Sequence, residues 1–314
     1  MENLPTPRLT CVVPTLNRAN FVARNLTNLR KIRSKEVAFV LSDNGSYKSM
    51  QAVFDDCVGD DKRFRFVRHE QTIPLFSHWD WLVREECRSD YVIILPDDEL
   101  LLDFDYFSFA INALDSNPSV LFCFADYFEI DPNDSVIREI NQPYPCQLPG
   151  TELLDFILKE DFQLGRLGVP LLTSVFRRTG YYQCGGFDLD CLSADLFFWI
   201  KLASIGDAIF HNQKVAGYRV HPDNLMKNFK VRERVADSKI RNAVDNFWIE
   251  QKVAVPESTK VGLRRRLRKT FKGKLNGAIL REIFTPPFSN NIGLLTQLDL
   301  PVLMSQVASR ARGC

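Results

Sequence analysis

The chain has 314 residues, 45% of them hydrophobic, with 40 Lys and Arg against 39 Asp and Glu for a formal charge of +1. That length and apolar content allow one large buried core with or without an appendage. The near-zero charge excludes a chain-wide electrostatic nucleic-acid binder, and no apolar segment is long enough to span a bilayer.

The start, Met1 to Arg8, is proline-broken and lacks the basic flank and apolar stretch of a signal peptide. Leu9 to Val13 is an apolar run that stops at Pro14 and predicts a strand. Val22, Leu26, Leu29 and Ile32 then recur at helical spacing, after an N-cap at Asn20. Val37 to Leu41 is a second buried strand running into the turn Ser42-Asp43-Asn44-Gly45-Ser46. Phe64 to Val67 is a weaker third strand, and Phe76 to Val83 reads as a helix on whose surface His78 is expected.

Tyr91 to Leu95 is a strand that ends in Pro96-Asp97-Asp98-Glu99. Carboxylates crowded at the end of a buried strand repel one another, so a fold keeps them together only with a cation or another positive partner. Val120 to Ile130 is strand-like, Leu192 to Ile205 is a helix beginning near Ser193 and ending at Gly206, and Ala208 to Val220 is extended. Strands alternating with helices predict an α/β fold with a mostly parallel mixed sheet covered on both faces. In such sheets ligands sit beyond the carboxyl ends of the strands, where the Pro14 to Arg18 loop, the Asp43 turn and Asp97-Asp98 all fall.

Beyond about Asn224 polar, helix-forming residues dominate, so the expected division is a main domain over 1–225 and a helical, partly basic extension over 226–314. The extension carries Arg264, Arg265, Arg266, Arg268, Lys269, Lys272 and Lys274, with Leu263, Leu267, Phe271 and Leu275 at helical spacing. Two readings of 261–281 stay open, a peripheral contact with an anionic membrane surface and a solvated helix face. The eight cysteines include no CxxC pair and read as reduced core residues of a cytoplasmic protein.

Taken together, these ordered pieces resemble the family 2 glycosyltransferases with the GT-A fold, a Rossmann-like sandwich. They are Val12 to Arg18, Ser42 to Ser46, Leu95 to Glu99, Gly185-Gly186-Phe187-Asp188, Asp195 four residues before Trp199, and Tyr218 to Pro222. The resemblance covers roughly residues 8 to 225. It implies an inverting enzyme that moves a sugar from a nucleoside-diphosphate-sugar donor to a hydroxyl of a glycan or lipid-linked acceptor. The implied setting is surface-polysaccharide assembly, in the cytoplasm or at the inner face of the membrane.

The same resemblance implies a Mg²⁺ or Mn²⁺ cofactor, since departure of a nucleoside diphosphate needs its charge taken up. Asp98 would touch the metal, and Asp97 would lie nearer the sugar or ribose. The usual Asp-x-Asp spacing is replaced here by Asp-Asp-Glu, so either Asp98 acts alone or Glu99 supplies a second carboxylate; His221 would approach the diphosphate or metal. Asp43 would recognise base or ribose, or close an Asx-turn, or both. Pro14, Thr15, Asn17, Arg18 and Asn44 would complete the donor wall.

Asp195 would be the general base, although a helix-terminal Asp has the same signature. Cys184, Gly185 and Gly186 would shape the acceptor side. Two other readings are a sugar nucleotidylyltransferase, which would carry a glycine-rich basic phosphate loop that Pro14 to Arg18 is not, and a non-catalytic carbohydrate-binding protein. No GxGxxG opens a helix after a strand, which disfavours a nicotinamide dehydrogenase.

Overall fold

The computed structural model describes residues 6–159, 168–187, 193–222, 224, 240–253, 255–262 and 265. Its frame is a ten-stranded mixed sheet. The first four strands in space, β3 (Phe64–Arg68), β2 (Val37–Asp43), β1 (Leu9–Thr15) and β4 (Tyr91–Ile94), run parallel. The sheet continues through β9 (Val175–Arg177), β6 (Val120–Ile130), β10 (Asp207–Arg219) and β5 (Leu100–Leu101). Here β9 runs antiparallel to both β4 and β6, while β6 and β10 are parallel. Two short strands, β7 (Val136–Ile140) and β8 (Gln147–Leu148), pair with β6 and β10.

Every residue of β1 is buried, as expected of a central parallel strand covered on both faces. Its side chains alternate between two cores. Leu9, Cys11 and Val13 join Tyr91 and Ile93 beneath α1 (Ala19–Leu29), α2 (Gln51–Val58) and α4 (Tyr106–Ser116). Val12 joins Val92 and Ile94 on the other face, packed by α3 (Leu75–Trp81), α5 (Gly150–Lys159), α6 (Arg178–Gln183), α7 (Ala194–Ile205) and α8 (Ile240–Glu250). The period of two along the strand thus divides one sheet between two helical layers.

The expected strands, and the helix from Ser193 to Gly206, appear within a residue or two of their sequence boundaries. The cap of α1 differs. Asn20 lies inside the first turn, and the N-cap is Arg18, whose carbonyl accepts the Phe21 and Val22 N–H groups. The Arg18 side chain has only donors and cannot cap helix N–H groups; it pairs instead with two buried carboxylates. In the extension, α8 packs Val244, Phe247 and Trp248 into the same core as α7, and Trp248 Nε1 donates to Ser204 Oγ at 2.8 Å. The basic segment 261–281 lies outside the described residues apart from 261, 262 and 265. Among the described residues no helix is long and apolar enough to cross a membrane.

Candidate active site

Parallel register builds the site. Thr15 lies beside Asp43 at the carboxyl ends of β1 and β2, and Asp97 and Asp98 follow directly where β4 leaves the ladder. Thr15 O accepts Asn44 N on the β2 side and Val12 O accepts Leu95 N on the β4 side. Alternation then turns Pro14 toward β4, past the last ladder pair of Val12 with Ile94, where a missing N–H costs no ladder bond.

The acids are buried and bridged. Asp97 accepts Thr15 Oγ1–H at 2.6 Å on one oxygen and Arg18 Nη1–H at 3.0 Å on the other. The same Arg18 nitrogen donates to Asp98 Oδ2 at 2.7 Å, and His221 Nε2 lies 3.0 Å from that oxygen. One guanidinium nitrogen therefore stands between the two carboxylates. Burial first, and the neighbouring Asp98 second, push the Asp97 carboxyl up to about 6 despite Arg18 and Thr15.

Glu99 faces the opposite way, into β10. Its Oε2 accepts the Arg219 backbone N–H at 3.0 Å, and burial, then Asp98, holds its carboxyl well above the ordinary range. The Glu99 carbonyl accepts Asn25 Nδ2–H from α1 at 3.0 Å.

Arg219 was not singled out by the sequence reading, yet it organises this corner. Only 1% exposed, it donates through Nε to the Asp98 carbonyl at 2.8 Å and through Nη1 to the Asp131 carbonyl at 3.0 Å, and pairs with Asp134. Its signal was the alternation in Tyr218-Arg219-Val220-His221, which puts Arg219 and His221 on one side of an extended chain. Asn224 holds the end of that segment by accepting His221 N–H at 2.7 Å and donating to the Arg219 carbonyl at 3.0 Å.

The loops after β1 and β2 are zipped together. Asn17 adopts a left-handed φ of 59°, donates its N–H to Ser46 Oγ at 2.8 Å and accepts Tyr47 N–H at 2.9 Å. Asp43, fully buried, accepts the Ser46 and Met50 N–H groups at 2.8 and 3.2 Å, with Arg68 Nε 3.3 Å away. Its Asx-turn is thus present. Asn44 exchanges two hydrogen bonds with the Ile73 backbone, at 2.9 and 3.1 Å. His78 is not a surface residue: it is 1% exposed beneath this wall, with Nε2 2.7 Å from Ser42 Oγ. The helical pattern around it did not show that α3 turns this face toward β2.

Asp195 stands half-buried in the first turn of α7, where the helix N-terminus favours a carboxylate. Behind it, Phe198 and Trp199 pack on Phe176, and Phe198 also meets Tyr181 and Phe187. Gly185 and Gly186 both have positive φ, 78° and 69°. A Cβ at Gly186 would also press on the Tyr181 ring, so this turn needs glycine twice over. The buried Lys201 of α7 donates to the Gly186 carbonyl, fixing the glycine turn to the helix that carries Asp195.

The mostly parallel mixed sheet, with buried acids just beyond β4, is a GT-A-like α/β fold. Residues 10–165 match the family described as glycosyl transferase family 2. Among solved structures it is similar to *Staphylococcus aureus* TarS 1–349 in complex with UDP-GlcNAc, at 13% identity and a TM-score of 0.68 over 94% of this chain and 82% of that one. It is also similar to the mannosyltransferase PcManGT from *Pyrobaculum calidifontis* in complex with GDP-Man and Mn²⁺, at 14% identity and a TM-score of 0.60 over 98% and 81%. No curated protein sequence matches the chain.

Proposed function

We propose that the chain transfers a glycosyl group, with inversion, from a nucleoside-diphosphate sugar to a hydroxyl of a glycan or lipid-linked acceptor in surface-polysaccharide assembly on the cytoplasmic side. The observation that carries the reading is the buried acid pair beyond β4, bridged by Arg18 and flanked by His221.

A divalent ion fits the donor set. Asp98 Oδ2 and His221 Nε2 converge at 3.0 Å, while among the described residues no three His, Cys, Asp or Glu side chains form a complete cage. A site of one or two protein ligands suits Mg²⁺ or Mn²⁺, which fill the remaining positions with phosphate oxygens and water. When bound there, the ion would supply stabilisation of the charge on the departing diphosphate. PcManGT is in complex with Mn²⁺, which supports the assignment. Glu99, committed to the Arg219 N–H, serves in this reading as a brace between the acid loop and β10.

The chain's own groups divide the work. Asp97, aligned by Thr15 and Arg18, accepts hydroxyls of the donor sugar or ribose. The wall formed by Asn17, Asp43 and Asn44 fixes the nucleoside, with Asp43 acting through the backbone turn it shapes. Asp195 takes the acceptor hydroxyl proton as that oxygen bonds to the anomeric carbon and the carbon–diphosphate bond breaks.

Thermal unfolding with UDP and GDP, each with and without Mn²⁺, tests the reading. One diphosphate should stabilise the chain by about 2.7 kcal/mol at a hundredfold excess over Kd, a rise of several degrees in Tm. Most of that rise should need Mn²⁺ and vanish in Asp98→Asn. No Mn²⁺-dependent rise with either diphosphate would overturn the metal-dependent donor site.

A further inference from the structure

We propose that Arg18 is a displaceable internal cation: it neutralises Asp97 and Asp98 when donor and metal are absent, and yields Asp98 to the metal while its guanidinium turns to the donor diphosphate. The inference rests on the donor-site reading above and adds an order of events to it. Arg18 Nη1 lies 3.0 Å from Asp97 Oδ1 and 2.7 Å from Asp98 Oδ2, so it holds the oxygen that an ion shared with His221 would need. A divalent ion and a guanidinium cannot share that oxygen at contact distance without strong repulsion.

The departure route is also built. Arg18 is the N-cap of α1, and its side chain is 25% exposed. The first turn of α1 contains no acidic residue, so the helix's positive end stays available for an anion. A planar guanidinium released beside it can bind diphosphate oxygens in bidentate fashion. Metal and donor binding become coupled: each favours the Arg18 position that the other requires. The resting chain thereby avoids two uncompensated buried carboxylates without retaining a metal.

Mn²⁺ titration followed by electron paramagnetic resonance, on the full chain without nucleotide, isolates the first half. In Arg18→Gln the competitor is gone, and Mn²⁺ should bind roughly tenfold tighter than in the wild type. Calorimetry with UDP and GDP in saturating Mn²⁺ reads the second half, where the same variant should bind its diphosphate roughly tenfold more weakly. Arg18→Lys keeps the charge and loses the fork. It should keep Mn²⁺ affinity near wild type while still weakening the diphosphate, which also separates the effect from misfolding.

Unchanged or weaker nucleotide-free Mn²⁺ binding in Arg18→Gln would overturn the placeholder role. If wild-type chain binds neither UDP nor GDP in the presence of Mn²⁺, the donor-site reading itself fails, a separable result.

Discussion

The proposed donor and acceptor sides are made from different physics. On the donor side almost every polar group is spent on another: Asp97 on Thr15 and Arg18, Glu99 on the Arg219 N–H, Asp43 on a backbone turn, Asn17 and Asn44 on neighbouring loops. On the acceptor side, Asp195 rides on a helix whose following residues, Phe197 to Leu202, are all buried, and that helix is positioned by ring packing and one buried lysine. A charge-built wall should respond to ions and pH, and a packing-built wall to side-chain volume. The contrast suits the proposed reaction, in which the donor brings concentrated negative charge and the acceptor a neutral hydroxyl.

The largest expected effect tests whether the two walls are separable. Asp195→Asn removes the proton acceptor and should lower the transfer rate by about 10⁴-fold, the upper end for general-base loss. UDP or GDP affinity in Mn²⁺, measured by calorimetry, should stay within about twofold of wild type, since the proposed role of Asp195 is to take the acceptor proton and not to bind the donor. Transfer at the wild-type rate would remove Asp195 from the mechanism.

A volume change on the acceptor wall comes next. Phe198 is fully buried against Phe176, Tyr181, Phe187 and Trp199. Phe198→Ala should cost about 4 kcal/mol in urea unfolding, the usual toll of an aromatic cavity. If the walls are built as described, nucleotide affinity of the folded fraction should change little.

The same division explains what could be read from sequence. β1, β2 and β4 were legible because their apolar runs end abruptly at Pro14, Asp43 and Pro96, and α7 because Ser193 and Gly206 bracket it. α2 was missed because it turns only Phe54 and Val58 inward, whereas α4 carried a readable signal that was not used, with Tyr106, Phe107, Ala110, Ile111 and Leu114 at helical spacing. In the site, the grouping of Asp97, Asp98, Arg18 and Thr15 follows from local strand ends. The direction of Glu99 does not: it is set by β10, a strand paired from 120 residues away. Arg219 was hidden for the same reason, as its partners at Asp98, Asp131 and Asp134 are reached only through the folded sheet.

The smallest expected effect is a pH dependence confined to the donor wall. Burial, reinforced by His69 and opposed by Asp43, depresses the His78 imidazole from 6.5 to about 4. The folded chain therefore keeps His78 neutral at pH values where the unfolded chain protonates it. Stability from this group is complete above about pH 6.5 and is lost as pH falls toward 4, because the unfolded state binds more protons across that window. The full loss is on the order of 3 kcal/mol. Urea midpoints at pH 7 and pH 4.5 should diverge more in the wild type than in His78→Gln, whose amide can still reach Ser42 but does not titrate. Equal pH dependence in the two proteins would show that His78 ionises freely, and that the wall beneath the nucleoside loops is wetter than its buried Ser42 and Asp43 indicate.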